Sequence, residues 1–316
     1  MTSGRPRVLA ESPAEQPYAH PSPAAAKNPY LTPHTSLITS RKSLCRALDA
    51  LSDHSDAVTV IGSHAVHERT KSLVVPSTTT KDGDLSLTPS LVADSPLLVD
   101  AMRGAGFRPL GELEAERFEG ARQKYAAQPG LWATGISDNG IPEGEVDLIV
   151  PTSISGGGRR SPRLLNHHGK VASRTAPGIE LAVLDRSLEA FEDFETGSVR
   201  PAYVAGHAGL ICAKAYKLAE RIIDRDATGR NRVLAKDAGD LWRLLATSNG
   251  RDVRSTFEAE TADPTWGDAV ITGLSHVEML VTSNELAALA IDALEPDLTP
   301  DDIDTVIDRW AGAFLG

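Results

Sequence analysis

The ten residues TTTKDGDLSL, Thr78 to Leu87, hold two carboxylates one residue apart, Asp82 and Asp84. Side chains alternate along a β-strand, so in a strand both acids point the same way and can share a divalent metal. The same letters also fit a solvated turn, because Asp-Gly between apolar stretches is a frequent hairpin signal. A third acid, Asp147, stands in EGEVDLIVP among Val146, Leu148, Ile149 and Val150. A carboxylate in so apolar a strand is costly unless it has a partner, a metal or an exposed strand end, and Glu145 lies two positions earlier on the same face. Upstream, Gly62-Ser63 closes the apolar run AVTVIGS and opens HAVHERT. A glycine at a strand-to-helix junction lets the backbone approach a ligand, and the helix N-terminus presents free amides to a phosphate. Gly-Ser, Asp-x-Asp and a later strand Asp, in that order, are the parts that phosphoryl or nucleotidyl transfer needs. Metals neutralise the triphosphate, and the third carboxylate positions or deprotonates the attacking hydroxyl.

A second group of residues follows in the last third of the chain. Lys214 in ICAKAYKLAER is a mobile point charge suited to a β- or γ-phosphate. VLAKDAGDLWRLL then supplies Lys236, Asp237 and Asp240. The two acids lie i, i+3 on one helical face, placed either to meet nucleotide and metal or to pair with Lys214 or Arg221 between two helices. Together with GSHAVHERT, TTTKDGDLSL, SPLLVDAMRGAGFRP and VDLIVP, these segments resemble the AbiEii-like (type IV abortive-infection toxin) nucleotidyltransferases of the polymerase-β-type superfamily. The resemblance spans about residues 57–248. It departs in two places: the separation between Gly-Ser and Asp-x-Asp is long, with extra residues near KSLVVPST, and Gly83 stands where an apolar residue is usual.

The resemblance implies a Mg²⁺-dependent enzyme that moves NMP from an NTP to a hydroxyl acceptor, tRNA or another RNA, and that a cognate antitoxin restrains. On this reading Asp82, Asp84 and Asp147 bind one or two Mg²⁺ ions, and Gly62 and Ser63 seat the triphosphate. Lys214 and Asp237 act in catalysis, while Lys214, Lys236 and Asp240 hold the nucleotide. The same centre also serves two other readings: transfer to an aminoglycoside or a protein hydroxyl, or nucleotide binding without turnover.

Positioning these residues takes an α+β fold, a small mixed sheet with flanking helices (the nucleotidyltransferase core) followed by a helical domain. Residues 1–35, rich in Pro, Ser and Ala, read as a flexible tail, residues 36–205 as the sheet domain and residues 206–316 as the helical domain. SLITSRKSLCRALDALSD places Leu37, Leu44, Ala47, Leu48 and Leu51 on one helical stripe. AVTVIGS, DLSL, GEVDLIVP, GIELAVL and VRPAYVAG read as strands, and HAVHERT and SPLLVDAMRGAGF as helices between them. Five further segments, from HAGLICAKAYKLAERIIDRD to TPDDIDTVIDRWAGAFL, carry helical spacing. The last opens with Thr299 as N-cap, Pro300 at the first helical position and acids in the first turn.

Composition bounds the partners. The 316 residues are 24% charged and 41% hydrophobic, ordinary for a globular chain. No apolar run approaches the roughly 20 residues of a membrane-spanning helix, and no secretory signal core opens the chain, so a cytoplasmic protein without a membrane partner is expected. Cys45 and Cys212 read as two buried thiols. A net charge of −11 excludes a surface that grips nucleic acid throughout. Yet from Ser153 to Thr175 the chain carries Arg159, Arg160, Arg163, Lys170 and Arg174 with no acid. That stretch is either a solvated loop or a contact for the phosphates of an RNA acceptor. His64 and His67, i, i+3 on one helix, read as packing or surface residues, and Arg69 as a phosphate contact or a helix C-cap.

Overall fold

The computed structural model describes residues 35–75, 80–117, 128–157 and 160–316. The N-terminal tail up to residue 34, Arg159 and residues 76–79 of the segment joining Gly-Ser to Asp-x-Asp lie outside them. The protein is a mixed α/β structure whose C-terminal part is helical.

Helix α1 (Thr35–Ala50) forms on the expected stripe, burying Leu37, Leu44 and Ala47. Strand β1 (Val58–Ile61) is buried along its whole length and runs directly into α2 (Gly62–Thr70). Strand β2 (Asp82–Leu87) contains both acids of the Asp-x-Asp pair, so the turn reading of those letters is excluded. Helix α3 (Leu98–Gly104), the short strand β3 (Arg108–Pro109) and α4 (Leu110–Arg117) precede β4 (Leu131–Ala133). The hairpin pair β5 (Gly135–Ile136) and β6 (Pro142–Glu143) leads into β7 (Glu145–Pro151), the strand of Asp147. Next come β8 (Arg174–Ala176), α5 (Glu180–Leu184), β9 (Arg186–Glu192) and β10 (Val199–Ala205).

Among the described residues the main sheet has the order β3-β4-β7-β2-β1-β10-β9, with β8 paired to the last residues of β7. It is mixed: β1 with β10, β2 with β7 and β7 with β8 are parallel, and the other pairs antiparallel. The two acid-bearing strands, β2 and β7, are therefore immediate neighbours at the middle of the sheet.

One expected strand is a helix. GIELAVL folds as α5, with Glu180, Leu181, Ala182 and Val183 all buried. A short continuous apolar run carries no periodicity that separates a buried strand from a buried helical turn, and here packing decides. Gly209 lies so close that a Cβ on it would stand 2.6 Å from the Ala182 Cα, a fit between two helices.

The rest is helical: α6 (His207–Thr228), α7 (Ala235–Ala246), α8 (Gly250–Glu260), α9 (Gly267–Val281), α10 (Asn284–Leu294) and α11 (Pro300–Leu315). Helix α11 starts as its sequence requires, with a reciprocal capping box between Thr299 and Asp302 and Pro300 in the first turn. One apolar core runs from Leu44 and Val60 through Leu148 and Leu218 to Trp310 and Phe314, joining the sheet to the helices. Cys45 and Cys212 lie in it as buried free thiols. Among the described residues no helix is long and apolar enough to cross a membrane.

Candidate active site

Strand register brings the acids together. In the parallel β2–β7 pair Asp82 stands opposite Glu145 and Asp84 opposite Asp147, and in the antiparallel β1–β2 pair Ile61 stands opposite Asp84. Asp84 is thereby set against the first turn of α2. Gly62 makes this approach possible: its φ is +66°, and a Cβ there would lie 2.0 Å from the Asp84 Oδ2. Gly83 points to the other side of the sheet, where a Cβ would meet the Leu44 Cβ at 2.9 Å. Gly83 is thus a packing device under α1 and belongs to no turn.

Asp82, Asp84 and Asp147 line one cleft of about 460 Å³ together with Gly62, Ser63 and Arg174. Each acid has a different environment. Thr80 Oγ1 donates to Asp82 Oδ1 at 2.8 Å. The Arg174 guanidinium donates to Asp147 Oδ2 at 2.8 Å. Burial pushes the Asp147 carboxyl up, with Arg174 opposing and the Asp82 and Glu145 charges adding to the rise. Among the described residues nothing donates a hydrogen bond to Asp84, and burial, then the Asp82 and Asp147 charges, push its carboxyl up to about 7.

The facing wall is cationic. Lys214, Lys217 and Arg221 recur at i, i+3 and i+7 on α6 and line the cleft with Lys236 of α7. Lys214 Nζ donates to Asp240 Oδ2 at 2.5 Å, to Asp237 Oδ1 at 3.3 Å and to Ser63 Oγ at 3.4 Å. Burial works against the Lys214 charge, but Asp240 and Asp237 outweigh it and hold its pKa above the ordinary lysine value. Lys217 Nζ at 3.2 Å and Arg221 at 2.8 Å also donate to Asp237. For Lys217, burial and then the neighbouring Lys214 charge lower the pKa. Asp237 is completely buried; burial alone would raise its pKa, yet the three cations bring it below the usual carboxylate value.

These contacts sort the expected residues. Asp82, Asp84, Asp147, Gly62, Ser63, Lys214 and Lys236 all reach the cleft. Asp237 and Asp240 do not line it: both are buried behind the cations they hold, and Asp240 also accepts a 2.8 Å hydrogen bond from Ser63 Oγ. Their direct contact with nucleotide or metal is corrected to a positioning role for Lys214, which is the ion-pair alternative read from their i, i+3 spacing. Of the basic stretch, Arg174 turns inward to Asp147, whereas Arg160, Arg163 and Lys170 are exposed; Arg159 is outside the described residues. Arg69 neither caps α2 nor lines this cleft; it binds the Ala205 carbonyl at 2.8 Å and Glu189 at 2.6 Å. His64 is buried with Nε2 3.0 Å from Ser40 Oγ, and His67 packs edge-on against Phe194. Several charged cleft residues, Lys217, Arg221, Arg232, Glu220 and Arg174 among them, are not marked for this site by the sequence. The spacing from Lys214 to Lys217 and Arg221 is the available signal for the first two.

A hard divalent cation suits the oxygen-only donors of the acidic floor. Among the described residues, however, no group of three or more His, Cys, Asp or Glu side chains forms a position able to hold a metal ion. Asp147 is engaged by Arg174, which reduces the expected set of three carboxylate ligands to Asp82 and Asp84 as the chain stands. Two carboxylates with the remaining positions left to water and substrate phosphates is the way Mg²⁺ is commonly held, so the residues present fit that ion. Comparison with known proteins returned no match: no family model, no curated protein and no solved structure matches the chain.

Proposed function

We propose that this chain is a Mg²⁺-dependent nucleotidyltransferase that moves NMP from an NTP to a hydroxyl acceptor, with RNA, tRNA foremost, as the acceptor. The observation that carries the reading is the pairing of Asp82, Asp84 and Asp147 on two adjacent strands with Lys214, Lys217 and Lys236 across one cleft, and Gly62-Ser63 between them. An acidic floor facing a basic wall is the charge pattern that a metal–triphosphate takes.

When bound, Mg²⁺ supplies charge neutralisation and polarises the phosphoryl oxygens. Asp82 and Asp84 hold it. Lys214, kept charged and in place by Asp240 and Asp237, binds the phosphates with Lys217 and Lys236. Asp147 takes the proton of the attacking hydroxyl, whose oxygen bonds to the α-phosphorus as the bond to the leaving pyrophosphate breaks. The first amides of α2, at Gly62 and Ser63 in the cleft, offer donors to the phosphate, while the missing side chain of Gly62 admits the Asp84 carboxylate beside them. The exposed Arg160, Arg163 and Lys170 offer the RNA backbone a contact. Cytoplasmic residence and restraint by a cognate antitoxin belong to the same reading, as an AbiEii-like toxin.

Incubation with α-labelled NTPs and total RNA should label RNA, and Asp82→Asn should reduce the label by at least about a thousandfold, as expected when a metal ligand is lost. Full activity in that variant sinks the metal assignment. Label on aminoglycosides or on protein in place of RNA moves the acceptor. Mg²⁺-dependent NTP binding without transfer to any of the three identifies a nucleotide-binding module.

A further inference from the structure

The acidic floor already contains a cation of its own. Arg174 comes from β8, whose parallel pairing sets it opposite Ile149, two residues beyond Asp147 on β7. Its guanidinium is, among the described residues, the one donor to the Asp147 carboxylate, at 2.8 Å. The pair is unequal in burial: the Asp147 side chain is 14% exposed and that of Arg174 31%. The Arg174 charge also reaches Asp84, which has no donor of its own. On the opposite wall Lys214, Lys217 and Arg221 are tied to Asp237 or Asp240, so Arg174 is the cation that belongs to the strand side.

The backbone under Arg174 is fixed. Thr175 N donates to the Arg160 carbonyl at 3.1 Å, and Gly130, with φ +79°, lies so close that a Cβ would be 2.6 Å from the Arg174 nitrogen. Only the long side chain is left to move, and it borders the open cleft.

We propose that Arg174 is a stand-in cation for the acidic floor: it neutralises Asp147 in the free protein, and a divalent cation entering at Asp82 and Asp84 displaces it. The inference rests on the metal-binding reading of Asp82 and Asp84. A metal at Asp82 and Asp84 and a guanidinium on the adjoining Asp147 repel each other across one acidic floor and are coupled reciprocally, so removing the arginine should strengthen metal binding. Once displaced, the guanidinium is released into the cleft beside the phosphate wall.

Calorimetric titration of the full chain with Mn²⁺, without nucleotide, tests this. Arg174→Gln should bind Mn²⁺ at least about tenfold more tightly than the wild type, the gain expected from removing one nearby positive charge. Arg174→Lys, whose ammonium makes a point contact in place of a fork, should fall between the two. If Arg174→Gln does not fold, as judged by thermal melting, Arg174→Lys must still bind more tightly than the wild type. Equal or weaker Mn²⁺ binding in the variants overturns the proposal. Absence of Mn²⁺ binding in all three proteins overturns it together with the metal reading, whereas tightened binding without NMP transfer removes only the transferase reading.

Discussion

Gly83 lies between two candidate metal ligands for a reason found on the opposite side of the sheet. The strand alternation that turns Asp82 and Asp84 into the cleft turns position 83 towards α1, where Leu44 leaves no room for a side chain. Gly83→Ala should therefore destabilise the protein by about 1–3 kcal/mol, the usual cost of overpacking a filled core. The cost should shrink in a Leu44→Ala background, because the methyl then enters the space that leucine vacates. A double-mutant cycle by urea denaturation measures this coupling, and strictly additive losses exclude the contact as the cause. Gly62 is constrained differently, by positive φ and by a carboxylate oxygen, so its replacement would disturb Asp84 first and packing second.

The contact between α6 and α7 is built on charge. One buried carboxylate, Asp237, receives Lys214, Lys217 and Arg221, and Asp240 receives Lys214 and Ser63. Removing one partner of such a buried pair strands the others, so Asp237→Ala should cost about 3–5 kcal/mol. The loss is read from the urea midpoint; a loss below about 1 kcal/mol, the range of a surface pair, argues that water already screens the cluster. The elements that hold these residues were largely legible in the sequence. An apolar run ending in Gly-Ser, a period-2 acid pair and an acid within VDLIVP each became the strand they resembled, because a central strand leaves a strong apolar signature. Strand β9 left none: among RSLEAFE only Phe191 is buried, so its alternation is mostly polar. Helix α8 shows a stripe of just Val253 and Phe257 beyond its buried first residue, Gly250, too sparse a pattern to mark a helix. The Arg174–Asp147 pair was illegible because it depends on β8 pairing with β7, and a strand of three partly exposed residues announces no register. The i, i+3 spacing of Asp237 and Asp240 gave their common face, but only packing shows that this face lies behind Lys214.

At the scale of the whole molecule, packing covers imidazoles, His64 fully and His67 partly, that acid must charge as the fold is lost. His64 is fully buried, and burial, then the Arg41 and His67 charges, hold its pKa well below the ordinary histidine value. Burial, followed by Arg41, Arg243 and Lys71, lowers that of His67 to about 3. Both folded pKa values lie below the unfolded value, so the unfolded chain takes up more protons as pH falls. Their contribution is fully present above the unfolded histidine pKa of about 6.5 and is lost progressively below it. Asp84 acts in the opposite sense: its pKa is raised to about 7, so the folded state keeps a proton that the unfolded state releases, and this contribution grows as pH falls. Asp147 and Glu220, also raised by burial, act with Asp84, but His54, His168, His207 and His276, also lowered by burial, act with His64 and His67. The histidines outnumber the carboxyls and leave a net loss of stability towards acid. Each uncompensated histidine contributes a slope of about 1.4 kcal/mol per pH unit between about pH 6 and pH 5. His67→Asn removes one titrating group and should flatten the fall in unfolding free energy across that interval by about that amount. Asp84→Asn removes the opposing group and should steepen it. Urea denaturation at several pH values compares the three slopes, and parallel curves for wild type and His67→Asn would show that His67 is already charged in the folded protein.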